Sequence, residues 1–264
     1  MTVLTSPSLP HPEHTQLTRS NPAFDVASLS VLLSTPTGLL LAHFFAIRPS
    51  TIVLTSLIHL ASTTTPFLLL RSLSPQHAPN SAPRDLVRNR AILTDPYTTL
   101  STSLLATAVF VTLLQLSFVT FLPVFLITHF NGLRDLGAAH LGASGLPSLL
   151  VALMPAGVSC TVFLFLPSTG VVNPHLQAGS FEPATASFRA HVYHNAWGWY
   201  SARQRELIKR TLVAGLMVMA ECVVQVWGTI AGVELMGAVG YAGIFVLSIA
   251  VVGMMYEWVG GPSG

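Results

Sequence analysis

The sequence predicts an all-α, polytopic membrane protein with six transmembrane helices and both termini on the cytoplasmic side. Three observations predict it. The first is composition: of 264 residues, 51% are apolar and only 8% are charged, where a soluble domain carries about 25% charged residues. So few charges cannot cover a water-facing surface, and lipid must face much of the chain. The second is a set of six apolar runs, 26–47, 51–70, 97–122, 146–166, 211–230 and 236–256. Each reaches, or nearly reaches, the roughly 20 residues a spanning helix requires. The third is the placement of the cations. Arg19, Arg71, Arg84, Arg88, Arg90, Arg189, Arg203, Arg205, Lys209 and Arg210 fall on one side of a six-helix threading, and Arg48 and Arg134 on the other. Cytoplasmic loops are enriched in Lys and Arg, so the richer side, which holds both termini, is cytoplasmic. A count of five or seven helices spoils this segregation.

Taken in order, residues 1–25 hold Pro7, Pro10, Pro12 and Pro22 with Glu13, Asp25 and a single Arg19. They lack both the apolar core of a signal peptide and the arginines of a presequence, and read as a disordered cytoplasmic tail before a membrane domain at 26–260. The first run closes at Arg48-Pro49 and the second at Arg71, so the two form a tight hairpin. A polar cytoplasmic loop follows at 71–96, with room for a short helix near 85–93. Apolar character then runs on from 97 to 130, too long for one straight crossing. Pro123 is expected to end that helix at 122 and leave 124–130 along the interface. The fourth run is expected to stop at Pro167, followed by a cytoplasmic segment at 167–210. The last two runs make a closing hairpin.

Several functions are disfavoured by the same residues. A formal charge of +2 gives no basis for binding nucleic acid. Cys160 and Cys222 both lie in apolar runs, where a free thiol behaves as a small apolar group, so no disulfide framework is expected. No phosphate-cradling glycine loop, nucleophile elbow or paired-carboxylate motif is present, and no cofactor or metal is expected.

Glu221 is the most informative single residue. It lies ten residues into the fifth run, about 15 Å deep and near the bilayer centre, with Gln225 one turn later on the same face. Ionisable groups at that depth face protein or water and mark function by default. Two readings stand: a titrating carboxylate on a substrate or proton path, or a protonated group sharing hydrogen bonds that hold the bundle together. The first and fourth helices carry Pro36-x-Gly38 and Pro155-x-Gly157 near mid-membrane, which read either as matched helix breaks of a transporter or as plain kinks. His43 and His59 flank the first hairpin turn, as a proton-relay pair or as partners of nearby hydroxyls. His191 and His194 have the spacing of two metal ligands but lack a convincing third, His175 and Glu206 being the only candidates on that side. Trp197, Trp199 and Tyr200, followed by Arg203, Arg205, Lys209 and Arg210, read as an aromatic belt with cations for anionic lipid headgroups or a partner protein. Gly228, Gly232, Gly240 and Gly243 sit where small residues let helices approach closely.

The function expected from these features is a non-catalytic subunit or scaffold of an endomembrane complex, with the endoplasmic reticulum as the favoured location. Its partners are the bilayer, anionic headgroups on the cytoplasmic side and other membrane subunits. The alternatives are a small-solute or proton-coupled transporter using Glu221, and a membrane-embedded enzyme acting on a lipid or isoprenoid.

Overall fold

The computed structural model describes residues 23–70, 74–83, 86–172 and 186–260, and these are helical with no strand among them. The long helices are α1 (Ala23–Phe44), α2 (Pro49–Leu70), α4 (Pro96–Thr120), α7 (Leu146–Cys160), α10 (Ala202–Thr229) and α11 (Leu235–Val259). The short ones are α3 (Arg90–Thr94), α5 (Leu122–His129), α6 (Gly137–His140), α8 (Leu166–Gly170) and α9 (Phe188–Tyr193). A π-helical turn, Thr161–Phe165, joins α7 to α8 without a break. Five spans are long and apolar enough to cross a membrane: α1, α2, α4, the continuous path Gly142–Gly170 and α11.

Local chemistry sets the ends of these elements. α1 begins at Ala23, so Asp25, assigned above to the tail, sits in its first turn, where a carboxylate meets the positive end of the helix dipole. Asp95 caps α4 by accepting from the amides of Tyr97 and Thr98 at 3.2 and 3.0 Å, with Pro96 at the first helical position. The long third run does split, but at Phe121 rather than at Pro123. Proline fits the first turn of a new helix because its missing amide hydrogen would have no partner there anyway. α10 starts nine residues before its apolar run, fixed by a capping box in which Ser201 and Gln204 satisfy each other's amides.

The expected stop at Pro167 does not occur. The helical path passes through it to Gly170, because the π turn widens the register just before the proline. π turns of this kind occur as single insertions inside α-helices.

α10 and α11 form the most extensive helix pair, α4 and α7 the next, and α1 lies against α2, α7 and α10. Between them is a core that includes Phe110, Leu153, Cys160, Val218, Cys222 and Ile249, all buried. α2 packs mainly on α1, and only 6% of its apolar window is buried.

Two ends of the bundle are recognisable from their bonds. At one, the Phe44 carbonyl accepts from the amides of Arg134 and Asp135, and the Asn131 amide donates to Gly232. His129 Nδ1 also lies 2.6 Å from Glu234 Oε2 there. At the other, Asp25 bonds Arg210, and Gln204, two turns before Arg210, bonds Glu257. The start of α1 and the finish of α11 therefore share one end.

Candidate functional site

The densest polar site grows out of Pro167. Proline has no amide hydrogen, so it cannot serve the carbonyl of Phe163 in the α register or that of Val162 in the wider π register. Side chains from elsewhere take both. Arg210 Nη1 donates to the Phe163 carbonyl at 3.1 Å, and His77 Nε2 lies 3.3 Å from that of Val162. The Val162 carbonyl can only accept, so Nε2 is the nitrogen that donates to it, and the neutral ring's Nδ1 accepts from Ser74 Oγ at 2.7 Å.

Arg210 then binds two carboxylates. Its Nη1 and Nη2 donate to Asp25 Oδ1 and Oδ2 at 2.9 and 3.1 Å, a fork that matches the planar carboxylate. Its Nε donates at 2.7 Å to Glu206, one turn earlier on α10. The guanidinium also lies 5.1 Å from the centre of the Phe163 ring, within the range of a cation–π contact. His77 Nε2 stands 3.8 Å from Asp25 Oδ1, and Phe24 stacks on the imidazole at 5.4 Å. Burial pushes the His77 pKa below its ordinary value; Asp25 pulls the other way, but desolvation is the larger effect. The imidazole is therefore neutral, and the guanidinium is shared between two carboxylates. The site ties together the first turn of α1, the 74–80 loop, the π turn and α10.

Two smaller networks brace the same half of the bundle. Arg203, only 8% exposed, donates from Nη2 to the Tyr256 carbonyl at 2.6 Å. The Tyr256 hydroxyl donates to the Thr102 carbonyl at 3.1 Å and lies 2.8 Å from Thr161 Oγ1, which accepts from Ser103 at 3.1 Å. All of these hydroxyls are buried.

The residues singled out in the sequence are placed as follows. Gln225 Nε2 donates to Glu221 Oε1 at 2.6 Å on the same half-buried face of α10. Pro36 is buried, and its carbonyl accepts from the Tyr241 hydroxyl of α11 at 2.9 Å. Gly157 lies so close to α4 that a Cβ would come 2.1 Å from Thr107 Oγ1 and 2.7 Å from the Ser103 carbonyl. At Gly38 a Cβ would meet only the Ile52 side chain, at 3.0 Å, while Pro155 is exposed. Pro36 and Gly157 thus lie at helix contacts, while Pro155 faces outward. His43 is at the last turn of α1, and His59 is ten residues into α2, about 15 Å along it.

Trp199 is exposed, Trp197 packs on Tyr200 at 5.8 Å, and His194 lies 6.5 Å from Trp199. Of the four cations that follow, Arg203 and Arg210 bond as above and Arg205 donates to the Gly198 carbonyl at 3.0 Å, while Lys209 is exposed. No group of three or more His, Cys, Asp or Glu among the described residues is arranged to hold a metal, and His175 lies outside those residues. Sequence reasoning missed Asp25, His77 and Phe163 as site residues. The available signal was Pro167 inside an apolar run, which announces carbonyls in need of donors.

A bundle of long apolar helices, cross-braced by polar side chains, defines a multi-pass membrane protein. Residues 95–259 match the family model for the Bouquet formation protein 3 C-terminal domain, and the chain belongs to that family. No curated protein and no solved structure matches it.

Proposed function

We propose that this protein is a non-catalytic membrane subunit or scaffold of an endomembrane complex. The observation that carries the reading is how its internal polar groups are used. Arg210, Tyr241, Tyr256 and Thr161 each bond another segment of the same bundle. Bonds of this kind fix helices against one another and suit a braced body that presents surfaces to partners. The family's name attaches to bouquet formation, and we extend that process to this chain. Its location in this reading is the endoplasmic reticulum or the nuclear envelope continuous with it.

The same reading has six crossings, with α10 as the fifth and both termini cytoplasmic. The 28-residue length of α10, its packing along α11, and the gathering of Asp25, Arg88, Arg210 and Glu257 at one end support it. Exposed Lys209, Trp199 and Tyr200 at that end support contact with lipid headgroups.

Native mass spectrometry of the protein purified from its own cells in mild detergent tests the scaffold. A stoichiometric complex with another membrane protein is expected. Recovery as a lone monomer, with loss of cellular function on Glu221→Gln at normal abundance, overturns the reading in favour of transport or catalysis.

A further inference from the structure

We infer that the exposed face of α2 is a dimer seam, covered in the membrane by α2 of a second copy of this chain. The inference needs α2 to cross the bilayer and needs no other partner.

α2 is the outlier among the five spans. Only 6% of its apolar window is buried, against 39–56% for the other four. A face left to lipid should be apolar, yet Thr55, His59, Ser62 and Pro66 are all exposed on it. With exposed Leu69 they follow one another at steps of four, three, four and three residues. That spacing keeps a seam turned toward a neighbouring helix. His59 lies ten residues into the 22-residue helix, about 15 Å along it and near the middle of the bilayer. Ionisable groups at that depth face protein or water. The rest of this chain leaves the His59 ring uncovered, and it has no hydrogen bond among the described residues.

The chemistry of the stripe identifies what covers it. An imidazole always carries an N–H donor. Thr55 Oγ1 gives its proton to its own helix, with the Ile52 carbonyl at 2.9 Å, and Ser62 Oγ does the same with the His59 carbonyl at 2.9 Å. Each hydroxyl oxygen keeps lone pairs, so both remain acceptors. The face therefore holds one unsatisfied donor with an acceptor about one turn to either side. It is complementary to itself.

Copies threaded alike in one membrane run their α2 helices parallel and at equal depth, and a two-fold axis sets the same stripe on both sides of the contact. In a parallel pair with this spacing, each side chain of the seam enters a hole made by four residues of the facing helix. For His59 that hole is Thr55, Ile58, His59 and Ser62 of the second copy. Each ring then donates to a hydroxyl across the seam, and the axis repeats the bond. Interhelical bonds beside small residues associate helices in lipid. A lipid chain offers the ring no acceptor.

The test begins with the full chain in its own cell membranes. Thr55→Cys, Ser62→Cys, Leu54→Cys and Ala61→Cys are made singly and oxidised with copper phenanthroline. Native Cys160 and Cys222 are buried. Leu54 and Ala61 are exposed at nearly the same depths as Thr55 and Ser62 but to one side of the seam. Positions 55 and 62 should give disulfide-linked pairs of this chain, and 54 and 61 should not. Purified chain labelled with donor or acceptor fluorophores then reports pairing by energy transfer in phosphatidylcholine vesicles. His59→Leu should weaken pairing about eightfold, ~1.2 kcal/mol for two interhelical bonds. His59→Gln, which keeps an N–H donor, should pair as the unaltered chain does. Absence of linked pairs at both 55 and 62, equal linking at all four positions, or energy transfer that His59→Leu leaves unchanged overturns the proposal. The vesicles hold no other protein, so this outcome is separate from recovery of a complex with another membrane protein.

Discussion

Arg210→Met should be the most destabilising single change in the bundle. Methionine keeps much of the length and apolar stem of arginine but donates nothing. The change removes two bonds to Asp25, one to Glu206 and one to the Phe163 carbonyl. It also leaves two carboxylates without a cation, with side chains only 19% and 30% exposed. Breaking a buried ion pair from one side costs roughly 3–5 kcal/mol. Partial exposure of all three side chains brings the expected loss to about 3 kcal/mol, or roughly a 150-fold shift in the unfolding equilibrium. Titrated sodium dodecyl sulfate unfolding in mixed micelles, followed by tryptophan fluorescence, measures it. A double-mutant cycle with Asp25→Asn isolates the pair and should give a coupling of about 1.5 kcal/mol or more. A single-mutant loss below ~1 kcal/mol, the range of an exposed pair, or additivity within ~0.5 kcal/mol, would refute the argument that this site braces the bundle.

Three further outcomes are expected. Because burial holds the His77 pKa below its ordinary value of 6.5, protonation favours the unfolded chain; stability is full above that value and falls as pH drops through it. His77→Gln should flatten that dependence in unfolding titrations between about pH 7 and pH 5.5. Gly157→Ala should cost roughly 1–3 kcal/mol, since the new Cβ meets α4 backbone that cannot yield; Gly38→Ala, facing a movable Ile52 methyl, should cost under ~1 kcal/mol in the same sodium dodecyl sulfate titration. Glu221→Gln should leave abundance and function in cells unchanged, because the amide retains an acceptor for Gln225.

The long helices were legible because a spanning helix needs a long apolar run, and such runs stand out in any window. Their ends were less legible, since they depend on single residues whose effect is contextual. Pro123 opens a helix instead of closing one, and Pro167 is absorbed by a π turn. The capping pair Ser201 and Gln204 sits in polar sequence, so the start of α10 lay outside the pattern being read. The Arg210 site was not legible at all. Asp25 and Arg210 are 185 residues apart, and each alone looks like an ordinary charge beside an apolar run. By position along the chain the arginines of 203–210 read as headgroup contacts, yet helical geometry turns Arg203 and Arg210 inward while Lys209 points out.

The pairing of Asp25 with Arg210 also imposes an order on biosynthesis. The acid emerges early, and its base 185 residues later. Until then the leading hairpin is anchored in lipid without its lock, and Pro167 too must wait for the donor that satisfies its neighbour. A ribosome stalled before residue 210 therefore leaves a nascent chain whose first two helices are held chiefly by apolar contact.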